Sequence, residues 1–150
     1  MTVGVAEYPC NIFKGIASSI DHPARFDNML GAIAEKNGDT ETALQHYLRA
    51  VADDPENADS LLNLGHLYFF RFPEKRREAL LLLERALEMN SALPSAYDMF
   101  GIHLAQTGDI AGALEMFELA LRYEPENELY QNKVNLCREL LARKRGENAP

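Results

Sequence analysis

Apolar positions recur along this chain with a helical rhythm. Ala43, Leu44, Tyr47, Leu48 and Val51 fall on one helix face, and Ala113, Leu114, Phe117 and Leu121 fall on the matching face of another. Leu80-Leu81-Leu82-Leu83 is apolar for a full turn, so part of that run packs on two sides or stays exposed. Ahead of each stretch lies another with a glycine on it: Leu30-Gly31-x-x-Ala34, Leu64-Gly65-x-x-Tyr68 and Phe100-Gly101-x-x-Leu104. Gly31 and Gly65 are 34 residues apart, and Gly65 and Gly101 are 36 apart. Twelve residues past Gly31 and Gly101 come Ala43 and Ala113, followed by Tyr47 and Phe117, Ala50 and Ala120, Pro55 and Pro125. The middle copy supplies Ala79, Leu83 and Ala86, displaced by two residues. Self-similarity at this period predicts an all-α helical solenoid rather than a compact enzyme fold.

Each unit reads as two antiparallel helices joined by a tight turn. Asn37-Gly38-Asp39 and Thr107-Gly108-Asp109 are two of those turns, where glycine takes the left-handed backbone that ends a helix. Asp39 or Thr40 is placed to cap the next helix, and Glu41 and Glu115 suit positive helix ends. The Leu-Gly glycine removes a side chain where two helices cross, and the paired alanines do the same against the next unit. Tyr47, Leu83 and Phe117 fill the larger gaps. Pro55 and Pro125 are expected to open the following helices, where a missing N–H costs nothing.

This pattern resembles the tetratricopeptide repeat, with its Leu-Gly-x-x-Tyr, Ala-x-x-x-Phe and terminal proline landmarks. The small residue stands at all nine small positions: Gly31, Ala43, Ala50; Gly65, Ala79, Ala86; Gly101, Ala113, Ala120. The resemblance implies a right-handed α-α superhelix with repeats at 24–57, 58–93 and 94–127 and a capping helix over 128–145. It departs from the family in three ways. Asp27, Leu61 and Tyr97 replace the family's tryptophan, Ser91 replaces a terminal proline, and two residues are inserted around Arg71-Phe72-Pro73. Asp27 is the least typical, so the first helix of repeat one is expected to pack less well.

Residues 1–23 stand outside the repeats; Ile12, Phe13, Ile16 and Ile20 recur at helical spacing, weakened by Gly15. This segment either covers the apolar face of repeat one or docks in a groove, its own or that of another copy. In the capping segment Leu129, Val134, Leu136, Leu140 and Leu141 form a broad apolar face, with Lys133, Arg138, Glu139, Arg143, Lys144 and Arg145 opposite. Residues 146–150 read as a flexible tail.

The resemblance implies that the first helix of each repeat lines a concave groove. The inward positions are then Arg25, Asn28, Met29, Ala32, Glu35 and Lys36; Asp59, Leu62, Asn63, His66, Phe69 and Phe70; Ser95, Asp98, Met99, Ile102, Ala105 and Gln106, with Leu129, Asn132 and Leu136 from the cap. Asn28, Leu62, Asn63, His66, Phe69, Phe70, Asp98, Met99 and Ile102 form the candidate partner-binding set, apolar in the middle and suited to a peptide or helix. One branch of the family grips a C-terminal carboxylate with Lys and Asn, Asn, then Lys and Arg. Only Asn63 matches; Asn28, Ala32, Ser95 and Met99 stand at the other clamp positions, so no such clamp is expected. Arg71, Lys75, Arg76 and Arg77 form a basic cluster that reads either as a solvated turn or as a contact for an acidic partner segment.

Lys and Arg number 15 against 23 Asp and Glu, a net charge of −8, which disfavours nucleic acid and anionic membranes and mildly favours a basic partner. No apolar run reaches the length of a membrane span, and no basic segment followed by an apolar core marks a secretory signal. Cys10 and Cys137 form no Cys-x-x-Cys and fit a reducing, cytoplasmic compartment, with Cys137 as a small apolar residue. His22, His46, His66 and His103 lack metal-ligand spacing, no phosphate loop or nucleophile elbow is present, and no cofactor is expected. The function expected is a non-catalytic protein-interaction module or adaptor that holds a peptide or helix in its groove. The alternatives are a small chaperone for secreted or assembling proteins, or a scaffold that homo-oligomerises through residues 1–23.

Overall fold

The computed structural model describes residues 23–147, and the expectations for the preceding segment, Cys10 and His22 included, lie outside the described residues. Seven α-helices and no strand are found among them: α1 (Pro23–Lys36), α2 (Thr40–Asp53), α3 (Ala58–Arg71), α4 (Arg76–Met89), α5 (Pro94–Gln106), α6 (Ile110–Tyr123) and α7 (Glu128–Glu147). Consecutive helices pair as α1–α2, α3–α4 and α5–α6, and α7 packs on α6. The chain is an all-α helical-repeat solenoid.

The turns follow local chemistry. Gly38 and Gly108 adopt φ of +80° and +89°. Asp39 then caps α2 by accepting from the Thr42 N–H, and Asp109 caps α6 by accepting from the Gly112 N–H. Glu41 lies in the first turn of α2, whereas Glu115 lies beyond the first turn of α6. Pro55 and Pro125 do not open helices. Each sits in an inter-repeat turn, and Asn57 and Asn127 follow, their side-chain oxygens accepting from Ser60 N–H and from Leu129 and Tyr130 N–H. Pro94 opens α5. The last helix runs through Glu147, so Gly146 is helical rather than part of a tail.

Repeat two solves its turn without glycine. Its two extra residues form a 3-10 turn, Pro73–Lys75, that runs directly into α4 with no side-chain cap. The Arg76 guanidinium lies 3.8 Å from the centre of the Phe69 ring and donates to Gln106 Oε1 on α5 at 3.0 Å.

All six alanines of the small-residue pattern are fully buried. Of the leucine run only Leu83 is fully buried, Leu80 and Leu82 are half-buried and Leu81 is exposed. The main core joins repeats one and two and ends at Ala96 and Met99 of α5. A smaller core of Ala113, Phe117, Val134 and Cys137 binds α6 to α7, and Ile102 packs against both. The buried residues of α1 are Ala24, Asn28, Gly31 and Ala34, none of them a large apolar side chain. At the first family tryptophan position Asp27 pairs instead with His46 at 2.6 Å.

Candidate functional site

Helices α1, α3, α5 and α7 carry the first-helix positions, and polar side chains tie them laterally. Asn28 Nδ2 on α1 donates to Ser60 Oγ on α3 at 2.8 Å. His66 on α3 meets Glu35 on α1 at 3.3 Å. Lys133 on α7 pairs with Asp98 on α5. Glu35 also accepts from the Tyr47 hydroxyl, whose pKa is pushed up by burial and by that neighbouring carboxylate. Tyr130, buried beside Asp98, is pushed up to about 12, mostly by desolvation.

The candidate binding residues divide by depth. Leu62, Asn63, His66, Asp98 and Ile102 are half-buried, and Phe70 is 49% exposed and packs its ring against His66 and Phe69. Two expectations are corrected: Phe69 is 1% exposed and Met99 2% exposed, so both are core residues and offer a partner no surface. Phe69 is sealed by the Arg76 guanidinium, and Met99 is enclosed by the main core. Asn28 is 9% exposed and faces Ser60 rather than standing free.

The basic cluster is likewise partly consumed. Lys75 pairs with Glu78 at 3.1 Å and lies over the Tyr68 ring, and Arg76 is held by Phe69 and Gln106. Lys75 has its pKa raised, chiefly by the hydrogen bond to Glu78. Arg71 and Arg77 are the exposed members.

At one end of the row lies a cavity of about 760 Å³, lined by Pro23, Ala24, Arg25, Asn28 and Met29 of α1, Asp53, Asp54 and Asn57 at the α2–α3 turn, and Asp59 and Asn63 of α3. Asn28 Oδ1 is buried there without a hydrogen-bond partner. Asp53, Asp54 and Asn57 were not among the first-helix positions, because they come from the end of α2 and the turn that follows it; the Asp-Asp-Pro run was the signal available.

A TPR-repeat family model matches residues 36–69, the span from the end of α1 through α2 into α3. The chain belongs to the tetratricopeptide-repeat family. It is 31% identical over 107 residues to the Hsp70-Hsp90 organizing protein 2 of Arabidopsis thaliana, a match covering 70% of this chain. The chain spans only 18% of that relative's length. Among solved structures, the first TPR of Spaghetti (RPAP3), bound to the HSP90 peptide SRMEEVD, superposes with TM-score 0.70 at 23% identity, covering 82% of this chain and 99% of that one. MamA superposes with TM-score 0.69 at 20% identity, covering 88% of this chain and 76% of that one. The tetratricopeptide fold of residues 23–147 therefore rests on repeat pattern, family match and superposition together. Among the described residues, no helix of this tetratricopeptide chain is long and apolar enough to cross a membrane.

Proposed function

We propose that this protein is a non-catalytic adaptor that holds a peptide or short helix against the inner row of α1, α3, α5 and α7. The observation that carries this reading is the surface left on that row after the core is filled. Met29, Phe70, Leu129 and Leu136 are large apolar side chains exposed on α1, α3 and α7. Leu62 and Ile102 lie half-buried between them. Exposed aromatic and methionine side chains beside a polar rim suit an amphipathic segment. The resemblance to organizing proteins and to a TPR solved with a bound peptide supports the peptide class.

The clamp positions argue for a different ligand from that peptide. Asn28 and Met99 are buried, and Ala32 and Ser95 carry no charge. Selection from a random peptide library on the immobilised full chain tests the reading. Selected peptides should bind about tenfold more weakly to Phe70→Ala, as expected for loss of an exposed aromatic anchor, while SRMEEVD should bind no better than a scrambled control. A library that yields no enriched peptide would sink the proposal.

A further inference from the structure

We propose that the cavity beside α1 and α3 seats a cationic side chain, lysine or arginine, of the bound peptide. The inference rests on the peptide reading above and deepens it by assigning a charge to one end of the ligand.

Two independent features of the cavity point the same way. The first is its field. Three carboxylates, Asp53, Asp54 and Asp59, face one guanidinium, Arg25. Asp54 is held by its own turn, accepting from the Glu56 N–H and the Asn57 side-chain amide, so its charge is fixed in place. Asp53 and Asp59 are exposed.

The second feature is Asn28. Its amide nitrogen is committed to Ser60 Oγ, yet its carbonyl oxygen is buried and unpaired. A buried acceptor left unsatisfied is costly, and the partner it lacks is a donor. Lysine and arginine side chains bring only donors, so either satisfies Asn28 Oδ1 without adding an acceptor to an acceptor-rich wall. A carboxylate there would meet Asp53, Asp54 and Asp59 as like charges and would leave Asn28 unpaired. The cavity therefore selects against the acidic tail found in the similar TPR complex.

The test uses the isotope-labelled full chain and two small probes, N-acetyl-arginine amide and N-acetyl-glutamate amide, followed by NMR. The arginine probe should give saturable shifts confined to Arg25, Asn28, Asn57 and Asn63, and the glutamate probe should give none. Asp53→Asn/Asp59→Asn alters two exposed side chains and keeps the fold, and it should weaken the arginine response roughly fivefold, as should raised salt. Equal response to both probes, or no saturable shift at these residues, would overturn the proposal. Residues 1–22 contain one lysine, Lys14, and no arginine; a response that emerges only in Lys14→Gln would overturn it too, by showing that the chain's own preceding segment fills the cavity. An arginine response in a protein that selects no peptide would separate failure of the groove reading from presence of a cation site, and would remove the assignment of the cation to a peptide.

Discussion

Gly31, Gly65 and Gly101 occupy equivalent positions, and the structure predicts that replacing them with alanine has unequal effects. A methyl built on Gly101 would lie 2.5 Å from Phe117 Cε1, 2.6 Å from Cδ1 and 2.9 Å from Cζ. Carbon contacts relax at about 3.5–4.0 Å, so the ring must retreat by about 1 Å. It has little room to do so, because Phe117 is buried with Ala113, Val134 and Cys137. Overpacking of this kind costs about 1–3 kcal/mol. At Gly65 the same methyl meets Leu83 Cδ2 at 3.1 Å and Cγ at 3.2 Å and the Ala79 carbonyl at 3.4 Å, so Leu83 needs to give by only tenths of an ångström. Both substitutions gain about 1 kcal/mol from helix propensity. Gly65→Ala is therefore expected to be neutral or stabilising, and Gly101→Ala to be less stable than it by about 1–3 kcal/mol. Urea unfolding followed by circular dichroism should separate their midpoints by about 0.5–1.5 M at a slope near 2 kcal/mol per M. The causal claim is tested by Phe117→Leu, which copies the Gly65–Leu83 pairing of repeat two. In that background Gly101→Ala should become neutral or stabilising, a coupling of about 1 kcal/mol or more. Equal midpoints for the two glycine variants, or no coupling to Phe117, would refute the reasoning.

Arg76→Ala should destabilise the protein by about 1–2 kcal/mol through loss of the Phe69 ring contact and the Gln106 hydrogen bond. Arg76→Lys should recover only part of this in thermal unfolding, since an ammonium lacks the planar face. The Asp39 carboxyl has its pKa lowered by hydrogen bonding to Thr42, side chain first and backbone N–H second. A depressed folded-state pKa means the capping contribution is present above the unfolded value of 3.8 and is lost as pH falls through the folded one. The stability gap between wild type and Asp39→Ala, measured by urea unfolding across pH, should therefore narrow below pH 3.8 and stay constant above neutrality.

What the sequence made legible was steric and local. A glycine opposite Tyr47 or Phe117, and an alanine where two helices touch, are demands of a single helix crossing repeated along the chain. The small-residue pattern, the turns at Gly38 and Gly108 and a cap at Asp39 or Thr40 were therefore readable from spacing, and the structure settles the cap on Asp39. Depth along the row was not readable, because it depends on lateral neighbours. Met29, Asn63 and Met99 share one register, yet they are exposed, half-buried and buried in turn. Phe69 is closed off by Arg76, which reaches it only because the repeat-two insertion folds as a 3-10 turn. The prolines misled for a related reason: a proline after an acidic residue fits both a first helical position and a turn. The asparagine two residues later, whose side chain caps the following helix, decides between them.

The same argument separates fold from ligand. The superposed TPR holds an acidic peptide, and this chain shares its fold. At the positions where one branch of the family carries its carboxylate clamp, the side chains here have been put to structural use: Asn28 ties α1 to Ser60, and Met99 closes the core at α5. A cation could not replace either without undoing a helix contact. The charges that converge near Asn28 instead come from Asp53 at the end of α2, Asp54 of the turn and Asp59 at the start of α3. These lie at helix ends, where substitution disturbs no packing. A solenoid fixes its first-helix positions through neighbour contacts on either side and leaves its turns free to vary. On the proposed peptide reading, the sign of the ligand charge is thus most easily changed at the turns, and there the chain is acidic.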